Sequence, residues 1–207
     1  MVAGQAEVSA IVGTVTSAFF HDPLWGPVFP SERRRAEQAS ELWRFFVTSA
    51  LRYPWTFVTE GAAAAAVWFP PGGTELTEYE QARLEPFLVG IVGRSGANEI
   101  LAISEQFESA RPAGPHFYLS LLATHADYRG QGWGMGLLRE NLARIDALGM
   151  PAYLESSNPT NNDRYGSVGF APQQELVMPS GQVVTTMWRP KRGAITAAPT
   201  VSERAMP

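Results

Sequence analysis

Residues 116–149 constrain the fold of this chain most. His116 to Thr124 reads HFYLSLLAT, an almost uninterrupted apolar run of the kind that forms a strand covered on both faces. Arg129-Gly130-Gln131-Gly132-Trp133-Gly134-Met135-Gly136 follows, and a helical pattern then runs to about Leu148, with Gly149 as a stop and Pro151 beyond it. A strand, a glycine-rich turn and a helix in that order imply an α/β domain. Such a turn bares backbone N–H groups at a helix N-terminus, and glycine permits positive φ and close approach by a bulky anion. Donors and helix dipole suit a pyrophosphate, with the charge of Arg129 nearby. A dinucleotide fingerprint fails, because its third glycine falls on Met135 or Leu137. Taken alone, R-x-x-G-x-G equally fits a tight strand-to-helix turn that holds no ligand.

The rest of the composition removes whole classes of chemistry. The chain has 207 residues, 45% of them hydrophobic, enough for one domain with a substantial core. It has no Cys, so disulfides, zinc–thiolate sites, iron–sulfur clusters and cysteine nucleophiles are excluded. Its one Lys, Lys191, follows no glycine loop, which removes a Walker phosphate site and a Schiff-base enzyme. His21, His116 and His125 lack metal-ligand spacing, and no metal site is expected. Gly93-Arg94-Ser95-Gly96 is not a nucleophile elbow. Twenty acidic against sixteen basic residues give a net charge of -4, a poor basis for binding nucleic acid or an anionic membrane. The longest apolar run, Ala62 to Phe69, is strand-sized, and no basic residue precedes Arg33, so a cytoplasmic protein is expected.

Upstream, Ile11, Val15, Ala18 and Phe19 lie at helical spacing over residues 6–20, and His21-Asp22-Pro23 breaks the pattern. Ser31 is placed to cap a second helix whose stripe is Ala39, Leu42, Phe46 and Ala50. Trp55–Thr59 and Ala62–Phe69 read as a hairpin, although the alanines weaken strand propensity. Beyond Pro70-Pro71-Gly72-Gly73, two helices are predicted near 75–92 and 97–109. Downstream, Ala152–Ser156 is a short strand, 161–168 a short helix, and strands near 170–178 and 182–188 flank a turn. Residues 191–207 read as a loose tail.

The segment after the glycine turn adds a second signal. Asn158 lies seven residues before Tyr165, and Gly169-Phe170 follows. With the earlier R-x-x-G-x-G, this ordered set resembles the GNAT superfamily of acyl-CoA-dependent N-acyltransferases. From about His116 to Pro190 the chain is most similar to the puromycin N-acetyltransferase group, on Leu154-Glu155-Ser156-Ser157, Asn161 and the closing Met-x-Arg. Ala18-Phe19 and Asp22-Pro23 match that group more loosely. Two departures stand out: Ala126 replaces the family's usual Pro, and only residues 1–5 are available for the first strand that should precede the first helix.

The resemblance implies a GNAT-type α/β fold, a twisted, mixed, mostly antiparallel sheet flanked by helices, in one domain over 1–190 with the cofactor region at 116–170. It implies acetyl-CoA as co-substrate, bound by main-chain groups of Leu122, Ala123 and Thr124, by the turn from Arg129 through Gly130, Gln131, Gly132, Trp133 and Gly134 to Met135, and by Asn158. Core packing accounts equally for Leu122, and an Asn-Pro turn for Asn158. Tyr165 is the expected acid for the departing CoA thiolate. Glu155 is the candidate base, with a purely structural role equally open; His116 and Asp22 are weaker candidates. Arg139 and Arg144 could meet the CoA 3′-phosphate, although solvent is the expected surrounding. Of the aromatic residues Trp25, Phe29, Trp43, Phe45, Phe46, Trp55 and Trp68, most belong to the core and some to an acceptor pocket. The expected acceptor is the primary amine of a small molecule, attacked in a ternary complex. A protein or peptide amine, an acyl group larger than acetyl, a non-catalytic CoA-binding module and a homodimer stay open.

Overall fold

The computed structural model describes residues 1–192. Most of the expected tail, from residue 193 onward, lies outside the described residues. Six strands form one sheet: β1 (Thr56–Val58), β2 (Ala64–Phe69), β3 (Phe117–Thr124), β4 (Ala152–Ser156), β5 (Ala171–Val177) and β6 (Val183–Arg189), in the spatial order β1-β2-β3-β4-β6-β5. Every neighbouring pair is antiparallel except β3 and β4. This is the mixed, mostly antiparallel sheet the sequence implied.

Helices cover both faces. On one face lie α1 (Val8–Phe19), the single turn α2 (Trp25–Val28), α3 (Glu32–Ala50) and α4 (Glu78–Ala110); on the other lies α5 (Trp133–Ala147). The short α6 (Asn162–Gly166) follows β4. Because the sheet is covered twice, both faces of β2 are buried: Ala65, Val67 and Phe69 join the core under α1, α3 and α4, while Ala64, Ala66 and Trp68 join the core under α5. Burial on both sides outweighs the low strand propensity of the alanines. The missing first strand survives as a bridge. Val2 pairs with Phe57, and the Val58 N–H donates to the Met1 carbonyl at 3.0 Å.

Two fastenings matter for the site. The N-terminus of α4 carries a capping box in which the Glu80 N–H donates to Thr77 Oγ1 at 3.2 Å and the Thr77 N–H to Glu80 Oε2 at 2.8 Å. Ser49 Oγ lies 2.7 Å from Glu80 Oε2 and 2.9 Å from the Glu75 carbonyl, which ties the end of α3 to the segment that carries Glu75. At the other end of the sheet, Arg189 grips Asp146 of α5 at 2.6 and 2.8 Å and donates through Nε to the Val168 carbonyl at 2.9 Å.

The predicted pair of helices at 75–92 and 97–109 is one span, α4, broken at Gly93 (φ 72°, ψ 175°). Gln38 Nε2 donates to the Ile91 carbonyl at the break, at 2.7 Å. Contrary to the reading from apolar runs alone, α4 contains an 18-residue window of mean hydropathy 1.2, long and apolar enough by composition to cross a membrane. Its break at Gly93 divides it, and Leu84, Leu88, Ala97, Ile100 and Ile103 pack into the core.

Candidate active site

The parallel pair β3–β4 holds register only at Phe117–Ala152, Tyr118–Tyr153 and Leu119–Leu154. Beyond that the strands part, β3 continuing through Thr124 and β4 through Ser156, where it pairs with β6. The parting coincides with an irregularity on the other edge of β3. Val67 of β2 faces Leu121 and Trp68 faces Leu119, so Ser120 is an extra residue, and such a bulge bends and twists its strand.

The ladder also tells where the freed main-chain groups point. The His125 N–H donates to the Ala63 carbonyl at 3.0 Å, and bonded pairs alternate along an antiparallel ladder. Ala123 with Ala65 is therefore the next bonded pair, and the N–H and C=O of Leu122 and Thr124 face away from β2, toward the gap left by β4. Both residues line a cavity of about 600 Å³ that occupies the gap.

At one end of the cavity is the glycine turn. Gly130 (φ 77°) and Gly132 (φ 82°) occupy the left-handed region that other residues enter only with strain. Gly132 caps α5, and the first-turn amides of Trp133, Gly134 and Met135 lack intrahelical acceptors, as at any helix start. A Cβ on Gly134 would fall on Thr124 Oγ1, so glycine lets the helix start lie directly against the free end of β3. A row of free strand groups that leads into a row of free helix amides fits the amide-bearing arm and diphosphate of an acyl-CoA.

Leu122, Thr124, Arg129, Gly130, Gly132, Trp133, Gly134, Met135, Asn158, Glu155 and Tyr165 all line this one cavity. Two expected cofactor residues sit elsewhere. Ala123 turns its side chain into the core and its polar groups toward β2, whereas Gln131 is exposed, accepting from Trp133 Nε1 at 3.2 Å and donating to the Asp127 carbonyl at 3.3 Å. The guanidinium of Arg129 reaches back to the Ala18 carbonyl at 2.9 Å, so this charge anchors the turn to the C-terminus of α1. Asn158 Oδ1 accepts from Thr160 N at 3.1 Å and Thr160 Oγ1 at 2.8 Å, the turn role that the sequence also allowed. Arg139 and Arg144 are exposed, as expected.

Glu155, on β4, lines the same cavity. Burial raises its carboxyl to about 8, against the pull of the Arg111 guanidinium and the Tyr118 and Tyr153 hydroxyls. Its Oε1 has no hydrogen-bond partner among the described residues. Tyr165 lines the same cavity; burial, helped by the charge of Asp22, pushes its phenol up to about 12, so it stays protonated at neutral pH. The two weaker base candidates separate. His116 is outside the cavity walls, its Nδ1 2.6 Å from the Gly114 carbonyl, and burial lowers its imidazole. Asp22 lines the cavity, but it receives N–H bonds from Leu24 and Trp25 at 3.0 and 3.1 Å and the Ser157 hydroxyl at 2.8 Å; burial nonetheless raises it.

Sequence reasoning missed Glu75, Ser120, Tyr118 and Arg111. Ser120 Oγ donates to Glu75 Oε1 at 2.8 Å, and Arg111 binds Glu75 Oε2 at 3.1 Å while its guanidinium lies 3.9 Å from the Tyr118 ring centroid. No local motif marks these residues, because they meet only through the bulge in β3 and the two ends of α4.

No family model matches the chain. Among solved structures, a Corynebacterium glutamicum protein described as histone acetyltransferase HPA2 and related acetyltransferase aligns over 94% of this chain and 97% of its own, with a TM-score of 0.69 and 24% identity. The fold is that of the GNAT acetyltransferases. Arylalkylamine N-acetyltransferase 2 from Aedes aegypti aligns over 93% of this chain and 98% of its own, with a TM-score of 0.61 and 14% identity. A mosquito arylalkylamine N-acetyltransferase like 5b gives 0.52 over 91% and 97%, at 14% identity. At these identities the likeness is one of architecture.

Proposed function

We propose that this chain is a GNAT N-acetyltransferase that moves the acetyl group of acetyl-CoA to a primary amine of a small molecule by direct attack in a ternary complex. The observation that carries the proposal is the convergence, in one cavity at the parted strands, of the glycine turn, a carboxyl raised by burial and a protonated phenol. Acyl transfer needs these three things: a grip on the acyl carrier, a base for the ammonium and an acid for the leaving sulfur.

When bound, acetyl-CoA supplies a thioester carbonyl ready for attack. The amides of Trp133, Gly134 and Met135 would hold the diphosphate, and the free groups of Leu122 and Thr124 the arm. Glu155 takes a proton from the substrate ammonium. The amine nitrogen forms the new C–N bond as the C–S bond breaks, and Tyr165 donates its proton to the sulfur. The second amine proton restores the phenol, so each turnover releases one proton to solvent. No covalent acyl-enzyme is needed, in keeping with the absence of Cys.

The resemblance of residues 116–190 to the puromycin N-acetyltransferase group supports a small-molecule acceptor. The test is thiol release from acetyl-CoA with a panel of small amines and peptides, checked by product mass. Turnover of small amines supports the proposal; turnover of peptides alone assigns a protein acceptor, and CoA binding without turnover of any amine assigns a non-catalytic module.

A further inference from the structure

The wall of the cavity formed by α1, α2, α3 and α4 is rich in rings. Phe19 ends α1, Trp25 begins α2, Trp43 and Phe46 lie on α3, and Phe107 lies on the last turns of α4. Trp43 sits at the centre, edge-to-face with Trp25 (centroids 5.2 Å, planes at 81°) and 5.5 Å from Phe19. Phe19, Trp25, Phe46 and Phe107 are only partly buried although they pack against the core. These rings therefore keep apolar surface in contact with the cavity, and covering it is favourable.

The charges in the cavity are mostly engaged. Both oxygens of Glu75 are occupied, by Ser120 and by Arg111. Both oxygens of Asp22 are occupied, by the Leu24 and Trp25 amides and by Ser157. Arg129 is spent on the end of α1, and Arg164 on Asn161 Oδ1 at 3.0 Å. Among these carboxylates, Glu155 lines the cavity with one oxygen, Oε1, buried and without a hydrogen-bond partner among the described residues. Once Glu155 is ionised, a ligand with one positive charge is matched here; a second ammonium group would find rings instead of an acid, at a desolvation cost.

We propose that the acceptor is a primary monoamine with an aromatic body, its ring among Phe19, Trp25, Trp43 and Phe46 and its single ammonium group at Glu155. The inference rests on the acetyl-transfer reading of the same cavity and adds what the aromatic wall takes up. The specificity residues are the aromatic side chains of α1, α2 and α3, with Trp43 as the ring that contacts Phe19 and Trp25. Glu75, held by Ser120 and Arg111, keeps the cation of Arg111 paired.

The experiment compares 2-phenylethylamine, n-butylamine, spermidine and an alanine-initiated hexapeptide as acceptors, with kcat/KM read by thiol release. It includes a direct titration of 2-phenylethylamine into the protein saturated with CoA. The expected result is a preference of about 10–100-fold for 2-phenylethylamine over n-butylamine, the scale set by burying one aromatic ring. Trp25→Ala, with CoA titration as the check on folding, narrows that ratio toward one. Equal or better use of n-butylamine, spermidine or the hexapeptide overturns the inference while leaving acetyl transfer intact. Saturable binding of 2-phenylethylamine without turnover of any amine keeps the aromatic site and overturns the acetyl-transfer reading. Neither binding nor turnover of 2-phenylethylamine overturns the aromatic site.

Discussion

Glu155 and Tyr165 share a cavity, and burial raises both groups. The carboxyl, raised to about 8, accepts a proton readily once ionised; the phenol, raised to about 12, is protonated at neutral pH and releases its proton only to a basic group such as a departing thiolate. Tyr165→Phe should lower kcat by ~10²–10⁴, the usual range for one acid–base group, and leave CoA affinity nearly unchanged. Thiol-release kinetics beside a CoA titration check this; an unaltered kcat removes the phenol from the mechanism. Glu155 must be ionised to act, so kcat/KM should rise with pH along a limb centred near 8. Glu155→Gln should abolish that limb, and a pH profile that keeps it assigns the limb to another group. The same shift has a linked effect on stability. A carboxyl raised from 4.5 to about 8 on folding holds its proton in the native state, so the stability it contributes is fully present below 4.5 and lost as pH rises through 8.

The strand–turn–helix unit is where the chain was most readable. β3, the glycine turn and α5 are specified by adjacent residues, through an apolar run, glycines at positive φ and a helix stop, and they form as expected. Gly132→Ala puts a Cβ at φ 82° and should cost about 1–2 kcal/mol, measured by urea unfolding. A cost near zero would mean that the turn relaxes out of the left-handed region. The parting of β3 from β4 was not readable in this sequence. It depends on where β2 pairs with β3, and the extra residue, Ser120, carries no signal of its own. The same limit explains Ala123: its neighbours Leu122 and Thr124 face the gap, and only the ladder phase separates them. The helical stripes were half legible. Ile11 and Val15 of α1 are core, but Phe19 on the same stripe runs off the core into the cavity, as Phe46 does on α3. Periodicity marks an apolar face without telling whether a helix or a substrate covers it.

Across the whole molecule, the site is assembled from segments distant in sequence: α1, the Glu75 segment, β3, the glycine turn, β4 and α6. What keeps them in register is packing and a few buried polar locks. Trp68 Nε1 donates to Asn141 Oδ1 at 2.9 Å between β2 and α5, and Arg189, 2% exposed, clamps β6 to α5 through Asp146. Asp146→Asn leaves that guanidinium without its counter-ion and should cost roughly 3 kcal/mol in urea unfolding, as for other broken buried pairs. A cost below about 1 kcal/mol would class the contact with surface ion pairs. The central claim is that the gap between β3 and β4, closed at one end by the glycine turn, holds coenzyme A. Titration calorimetry of the purified protein with CoA tests this most directly. The account predicts saturable one-to-one binding that weakens at least ~10-fold in Gly132→Ala, about 1.4 kcal/mol. No saturable heat, or equal affinity in the variant, would contradict it.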